Sequence, residues 1–233
     1  MNLPLFYQHN LDLQSPVFDL DEDASRHVIQ VLRMQKGEKI QLTDGKGSML
    51  IAEIEEGHKK SCTVKKISLE HKSPSERRIT IAISPVKNTS RFEWFLEKAT
   101  EMGVHAIIPL ICKRTEKQHF RKDRMQSILT SAMLQSKQAF LPLLLEPTSF
   151  SEVFALSDQK IKCIAHCEDG KEKNPFRSFC TNEEVIILVG PEGDFTQEEI
   201  EWAINQNFIP VSLGATRLRT ETAGVAAAAL FCI

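Results

Sequence analysis

Four stretches of this chain are apolar almost without interruption: ITIAIS (79–84), VHAIIPLIC (104–112), IKCIAHC (161–167) and EVIILVG (184–190). A strand that is apolar on both faces needs cover on both, which confines such runs to a parallel sheet lying between helices. The intervening segments carry the helical period. In SRFEWFLEKATEMG, Phe92, Phe95, Leu96, Ala99 and Met102 form one stripe. Ser90 and Glu93 have capping-box spacing, and Gly103 suits the C-terminal cap. A second helix is expected within 121–140, and a third opens at Thr196 with Glu199 three residues on. The strand FIPVSL (208–213) follows, and RLRTETAGVAAAALFCI (217–233) supplies a last helix of small residues. Strands alternating with helices make this part an α/β domain with a mainly parallel sheet.

The first 72 residues have another rhythm. KIQLTDG and SMLIAEIEE meet at Gly-Lys-Gly turn chemistry, SCTVKKISLE follows, and DEDASRHVIQVLRM places Val28, Val31 and Leu32 at helical spacing. Strands with one helix make a small barrel-like module, and HKSPSERR (71–78) reads as a linker. Two domains are expected, 1–72 and 73–233.

No run of eighteen apolar residues is present, so no membrane span is expected. The first residues lack a basic segment followed by an apolar one, so no secretory signal is expected. Six scattered cysteines then read as reduced, buried thiols of a cytoplasmic protein. The net charge of −2 conceals segregation, since residues 113–140 hold seven basic and two acidic side chains. Such a stretch is either a solvated helix face or a local phosphate-contacting surface.

Ligands of open parallel sheets bind beyond the carboxyl ends of the strands. Two loops there are unusual. GPEGDF (190–195) combines a φ-fixing Pro191 with Gly190 and Gly193, both free to take positive φ, and GATRLRTET (214–222) bends at Gly214 into a charged turn. Neither matches a P-loop or a Rossmann fingerprint. Each alone is ordinary turn chemistry; both on successive strands is the more specific signal.

RHVIQVLR (26–33), FEWFLEKATEMGV (92–104), VGPEGDF (189–195) and SLGATRLRTETA (212–223) occur in this order and spacing in the ribosomal RNA uridine-N3 methyltransferases of the SPOUT class, which the whole chain resembles. The resemblance implies a PUA-like β-barrel followed by a SPOUT α/β domain with a trefoil knot, acting on 16S rRNA in the small ribosomal subunit. It implies S-adenosylmethionine held by His166, Gly190, Pro191, Glu192, Gly193, Leu213, Gly214, Leu218, Arg219, Thr220, Thr222 and Ala223. It also implies a homodimer, for which Ala226 to Ala229 suit a close helix contact. RNA would meet Arg26, Arg33, Lys87, Arg91, Lys113, Arg114, Arg121, Lys122, Arg124 and Lys137.

The chain departs from the family pattern in places. Asp194 stands where many relatives have glycine, and Ala215, Thr216 and Arg217 replace Pro-Arg-Ile. ISPVK replaces Gln-Ala-Leu-Pro-Lys, keeping Lys87, and Gln138 stands where an arginine is usual.

Methylating N3 of uridine removes a proton and develops negative charge on the base. Arg219 is the candidate fixed cation, with a structural salt bridge as its alternative. Glu221 either accepts the proton or favours the positive end of the last helix. Cys163, His166 and Cys167 are too few for a metal site, and none is expected. Trp94 and the phenylalanines at helical spacing read as core. A non-catalytic RNA-binding protein and a nucleotide-dependent enzyme are the competing readings, and cofactor binding separates them from the first.

Overall fold

A computed structural model describes residues 3–58, 61–116, 120–168 and 172–233. The chain divides into two compact units, residues 1–74 with 133–141 and residues 75–132 with 142–233.

In the first unit, β1 (Leu5–Tyr7), β2 (Val17–Asp19), β3 (Lys39–Thr43), β4 (Ser48–Gly57) and β5 (Cys62–His71) form one sheet in the order β1-β3-β4-β5-β2. β1 runs parallel to β3 and the other pairs are antiparallel. Two register shifts in the β4–β5 pairing, at Ile51/Ala52 and Ile54/Glu56, mark bulges of the kind that bend and twist a strand pair. Gln8, just past β1, donates from Nε2 to the Asp19 carbonyl at 3.3 Å and accepts from the Asp21 amide at 3.4 Å, so one buried side chain joins the two edge strands. Val28, Ile40, Leu42, Leu50, Ile54 and Val64 fill the interior.

The helix expected over 21–34 is interrupted. α1 (Glu22–Arg26) is capped by Asp21, whose carboxylate accepts from the Ala24 amide, and then widens into a π turn over His27–Val31. That turn closes i→i+5, with the Leu32 amide donating to the His27 carbonyl at 2.9 Å. The wider turn rotates the stripe: Val28 is buried, whereas Val31 and Leu32 are 65% and 44% exposed. The reading of all three as one buried face is corrected.

The second unit is a parallel sheet. Its strands are β6 (Ile79–Ile83), β7 (Ala106–Ile111), β8 (Leu143–Leu144), β9 (Thr148–Ser149), β10 (Ile161–Ala165), β11 (Asn174–Pro175), β12 (Val185–Val189) and β13 (Ile209–Ser212). The order is β11-β13-β10-β12-β6-β7-β8, with β9 also pairing β7. Every residue of β6 and β12 is buried, as their unbroken apolarity requires. Ile83 pairs Val189, Val189 pairs Ala165, and Ala165 pairs Val211, so four strands finish at one edge.

The helices are α2 (Thr89–Glu101), α3 (Lys122–Gln135), α4 (Gln197–Asn205) and α5 (Thr220–Cys232). α2 is capped by Asn88, which accepts from the Ser90 amide, and not by a Ser90–Glu93 box; the helix starts two residues earlier than the box required. Phe92, Phe95, Leu96 and Ala99 are buried as expected, but Trp94, two positions off the stripe, is 42% exposed and is not core. The Thr196–Glu199 capping box of α4 is present in full. Among the described residues no helix is long and apolar enough to cross a membrane.

α5 packs on α2 and β6 so closely that a Cβ on Gly224 would fall 2.6 Å from the Phe95 ring and 2.7 Å from Ile83. Ala227, Ala228 and Phe231 are fully buried. Half of the alanine run is therefore spent inside the chain, and only Ala226 and Ala229 of it keep partial exposure. The cysteines are also mixed. Cys62, Cys112 and Cys163 are buried, Cys180 and Cys232 are half-buried, and Cys167 is exposed.

Candidate functional site

The edge where β6, β12, β10 and β13 finish carries the loops singled out in the sequence. The loop after β13 and the ends of β10 and β13 enclose a hollow of about 360 Å3, lined by Ala165, His166, Leu213, Gly214, Leu218 and Ala223 among others. A second hollow of about 500 Å3 lies under the loop after β12, with Gly190, Pro191, Glu192, Arg219 and Thr220 in its wall. Ala165, Cys167, Arg217, Leu218 and Ala223 border both. The two hollows are therefore arms of one bent cleft.

Four contacts hold the walls. The Thr220 hydroxyl, in the first turn of α5, donates to the Gly190 carbonyl at 3.0 Å, joining the two loops directly. Asp194 has φ 62°, and its carboxylate accepts from the Phe195 amide on one oxygen and the Cys167 amide on the other, both at 2.8 Å. Arg114 donates to the carbonyls of Gly193, at 2.7 Å, and Phe195, at 3.3 Å. Glu199, besides completing its cap, accepts from the Lys113 amide at 2.8 Å.

The positive φ expected at Gly190 and Gly193 is found instead at Asp194. Gly190 is required for another reason: a Cβ there would lie 3.0 Å from the Phe195 ring. Gly214 has open space where its Cβ would stand, so small size at this position leaves the cleft wider.

Glu221 is buried, with one carboxylate oxygen 3.8 Å from Arg91 Nε; its other oxygen has no hydrogen-bond partner among the described residues. Arg91 also reaches Glu192 at 3.9 Å, so this arginine, expected at RNA, stands in the wall of the cleft between two carboxylates. Arg219 is exposed at the start of α5, in the same wall. Thr222 lies half-buried in the first turn of α5, and it lines neither arm of the cleft, nor does Gly193.

The other basic residues are mostly partnered. Arg26 pairs with Glu22 and Asp23, Lys87 with Glu116 at 3.1 Å, Lys122 with Glu146, and Arg124 with Glu93. Arg33 and Lys137 adopt left-handed backbone, with φ 54° and 55°. Lys113 and Arg121 are exposed. Lys117 to His119 of the basic stretch lie outside the described residues.

Sequence reasoning did not assign Lys173 and Cys167 to the cleft, or to Asp194 the tie between loops. In the sequence Cys167 reads as a buried thiol or a metal ligand, and the segment leading to Lys173 carries no motif. Burial pushes the Cys163 thiol up to about 12, with the nearby Cys180 adding to the rise, so that sulfur stays a protonated thiol. Among the described residues no three His, Cys, Asp or Glu side chains gather where they could share a metal ion.

Residues 73–232 match the RNA methyltransferase domain family, and residues 20–67 match the RNA methyltransferase PUA domain. A crystal structure from Porphyromonas gingivalis, described as a "probable rRNA-methyltransferase", superimposes with a TM-score of 0.88 at 39% identity, covering 97% of this chain and 96% of that one. The ribosomal RNA small subunit methyltransferase E of Neisseria gonorrhoeae, solved bound to S-adenosyl methionine, gives a TM-score of 0.83 at 30% identity over 98% and 96%. The protein of that name from Synechocystis sp. is 30% identical over 214 residues, 88% of this chain and 70% of its own length. The chain belongs to the RNA methyltransferase family, with a PUA domain ahead of the domain that carries the cleft.

Proposed function

We propose that this protein transfers a methyl group from S-adenosylmethionine to N3 of a uridine in 16S ribosomal RNA, with the assembled small ribosomal subunit as substrate in the cytoplasm. The observation that carries this reading is the convergence of the loops after β12 and β13 on one bent cleft, locked by the Thr220–Gly190 hydrogen bond. The residues present suit a folded nucleoside with a charged tail. Ala165, Gly214 and Ala223 are small, Leu213 and Leu218 give apolar walls, and the 190–192 and 213–220 segments complete the lining.

When bound, S-adenosylmethionine supplies an electrophilic methyl group; the remaining work falls to the chain. Leu213, Gly214, Leu218 and Ala223 would hold the cofactor on one arm, with His166 in its wall, while Gly190, Pro191, Glu192 and Thr220 border the other. Arg219 lies over the mouth as the fixed cation for charge developing on the uracil. Glu221, in the first turn of α5 beside Arg219 and Thr220, is the acceptor of the N3 proton: one carboxylate oxygen has no hydrogen-bond partner among the described residues, and Arg91 stands 3.8 Å from the other. Orientation of the base supplies much of the remaining acceleration. A trefoil knot through these loops and a homodimer through the α/β unit belong to the same proposal. Light scattering at twice the 26.4 kDa chain mass checks the dimer.

The test is nucleoside mass spectrometry of small subunits from cells lacking the protein, before and after incubation with enzyme and S-adenosylmethionine. The expected product is N3-methyluridine. Arg219→Ala is expected to abolish turnover with cofactor binding largely retained, and equal loss of both would reassign Arg219 to holding the cofactor. Cofactor bound with no N3-methyluridine formed would overturn the substrate.

A further inference from the structure

Two more hollows adjoin the cleft along the loops that leave β6 and β12. One of about 370 Å3 is lined by Pro85, Lys87, Arg114, Glu116 and the 191–193 segment, and shares Pro191 and Glu192 with the cleft. Beyond Pro85, common to both, a pocket of about 230 Å3 opens between the first turn of α2 and the start of α3.

This pocket differs in chemistry from the cleft. Phe92 and Phe120 meet in it edge to face, with centroids 5.9 Å apart and planes at 85°. Phe92 is buried in the core, while Phe120 remains partly exposed. Two guanidinium groups flank the aromatic pair. Arg124 is fixed in a two-nitrogen contact with Glu93; Arg121, among the described residues, has no acidic side chain at ion-pair distance. A half-exposed aromatic ring beside a held and an unheld guanidinium is the combination that receives an unstacked nucleobase: a π face to stack on and donors for its edge.

We propose that this pocket takes the base of a nucleotide neighbouring the methylated uridine, with the intervening sugar–phosphate backbone crossing the hollow beside Lys87. The inference rests on the RNA methyltransferase reading and extends it to a second subsite. Its physical motive is delivery. A uridine whose N3 faces the cleft has given up its base pair and its stack, so each neighbour has lost a stacking partner on one face. Capturing one of them recovers stacking energy and fixes the register of the strand. Pro85 and the 191–193 loop supply a continuous wall between the two sites, which lie at the ends of adjacent strands β6 and β12.

Steady-state methylation of small ribosomal subunits tests this, with S-adenosylmethionine affinity measured in parallel. Phe120→Ala and Arg121→Ala are each expected to raise KM for the subunit about tenfold or more, the size of a lost base–aromatic stack, with cofactor affinity unchanged. Phe120→Tyr, which keeps a ring at the same place, is expected to recover most of the loss. A wild-type KM in both alanine variants overturns the pocket's role. So does a parallel fall in cofactor affinity, which would make Phe120 and Arg121 supports of the cleft. Wild-type protein that binds cofactor yet leaves subunits unmethylated fails earlier, at the parent reading, and removes the neighbouring-base site with it.

Discussion

Asp194 shows how one side chain sets the shape of the cleft. Its backbone lies in the left-handed region, where glycine is at ease and Asp or Asn is tolerated better than other residues. Glycine would meet the φ requirement alone. Aspartate meets it and adds the two carboxylate contacts that tie the loop after β12 to the chain leaving β10. Asp194→Asn keeps one acceptor oxygen and the tolerance of positive φ but sets its NH2 against a backbone N–H, so it is expected to cost about 1 kcal/mol. Asp194→Ala loses both bonds and strains the backbone, for a destabilisation of about 2–3 kcal/mol, read as a shift in the urea midpoint. Cofactor affinity is expected to fall with it; unchanged stability and affinity in Asp194→Ala would dismiss the tie. At this scale the sequence was partly legible. Gly190, Pro191, Gly193 and Gly214 announced where the chain turns. That the positive φ falls on Asp194 and on none of these four was not legible, because it depends on where the Phe195 ring and Arg114 come to lie.

Among elements, α5 sets propensity against packing. Replacing a mid-helix glycine by alanine ordinarily stabilises by up to about 1 kcal/mol. At Gly224 the added methyl would stand 2.6 Å from Phe95 and 2.7 Å from Ile83, both fully buried and without room to retreat. Overpacking of this kind costs about 1–3 kcal/mol, so the packing term wins. Gly224→Ala is expected to lower the denaturant midpoint, and a rise would mean that α5 shifts freely on α2 and β6. Legibility again followed the reach of the signal. The Thr196–Glu199 box is local and was read correctly. The π turn at His27–Val31 has no local signature, because one added residue in a turn is paid for by the packing of Val28 into the barrel core. The small residues of α5 pointed to a close contact, but sequence alone did not show that half of them serve the chain's own interior.

For the whole molecule, the alternation of elements gave the class of the second unit, while strand order was out of reach. Parallel strands can neighbour one another in many orders, and β10 between β12 and β13 follows from crossovers that leave no mark in a run of Val and Ile. Nor did composition reveal that 133–141 rejoins the first unit, where the Leu141 amide donates to the Gly45 carbonyl and Phe140 closes on Gly47. The same scale governs how RNA is held. Of ten basic residues expected at RNA, Arg26, Lys87, Arg91, Lys122 and Arg124 already face acidic side chains, and Arg114 is bound to loop carbonyls. Among the described residues, Arg33, Lys113 and Arg121 have no acidic side chain at ion-pair distance. Each phosphate neutralised on a single strand contributes about −0.7 to the slope of log affinity against log salt. With three or four such contacts the slope for small-subunit binding is expected near −2 to −3. A slope several times steeper would mean that the internal ion pairs open and their arginines and lysines turn to phosphate, making charge the main holder of the substrate. A shallow slope leaves that task to shape, and to the two sites at the ends of β6 and β12.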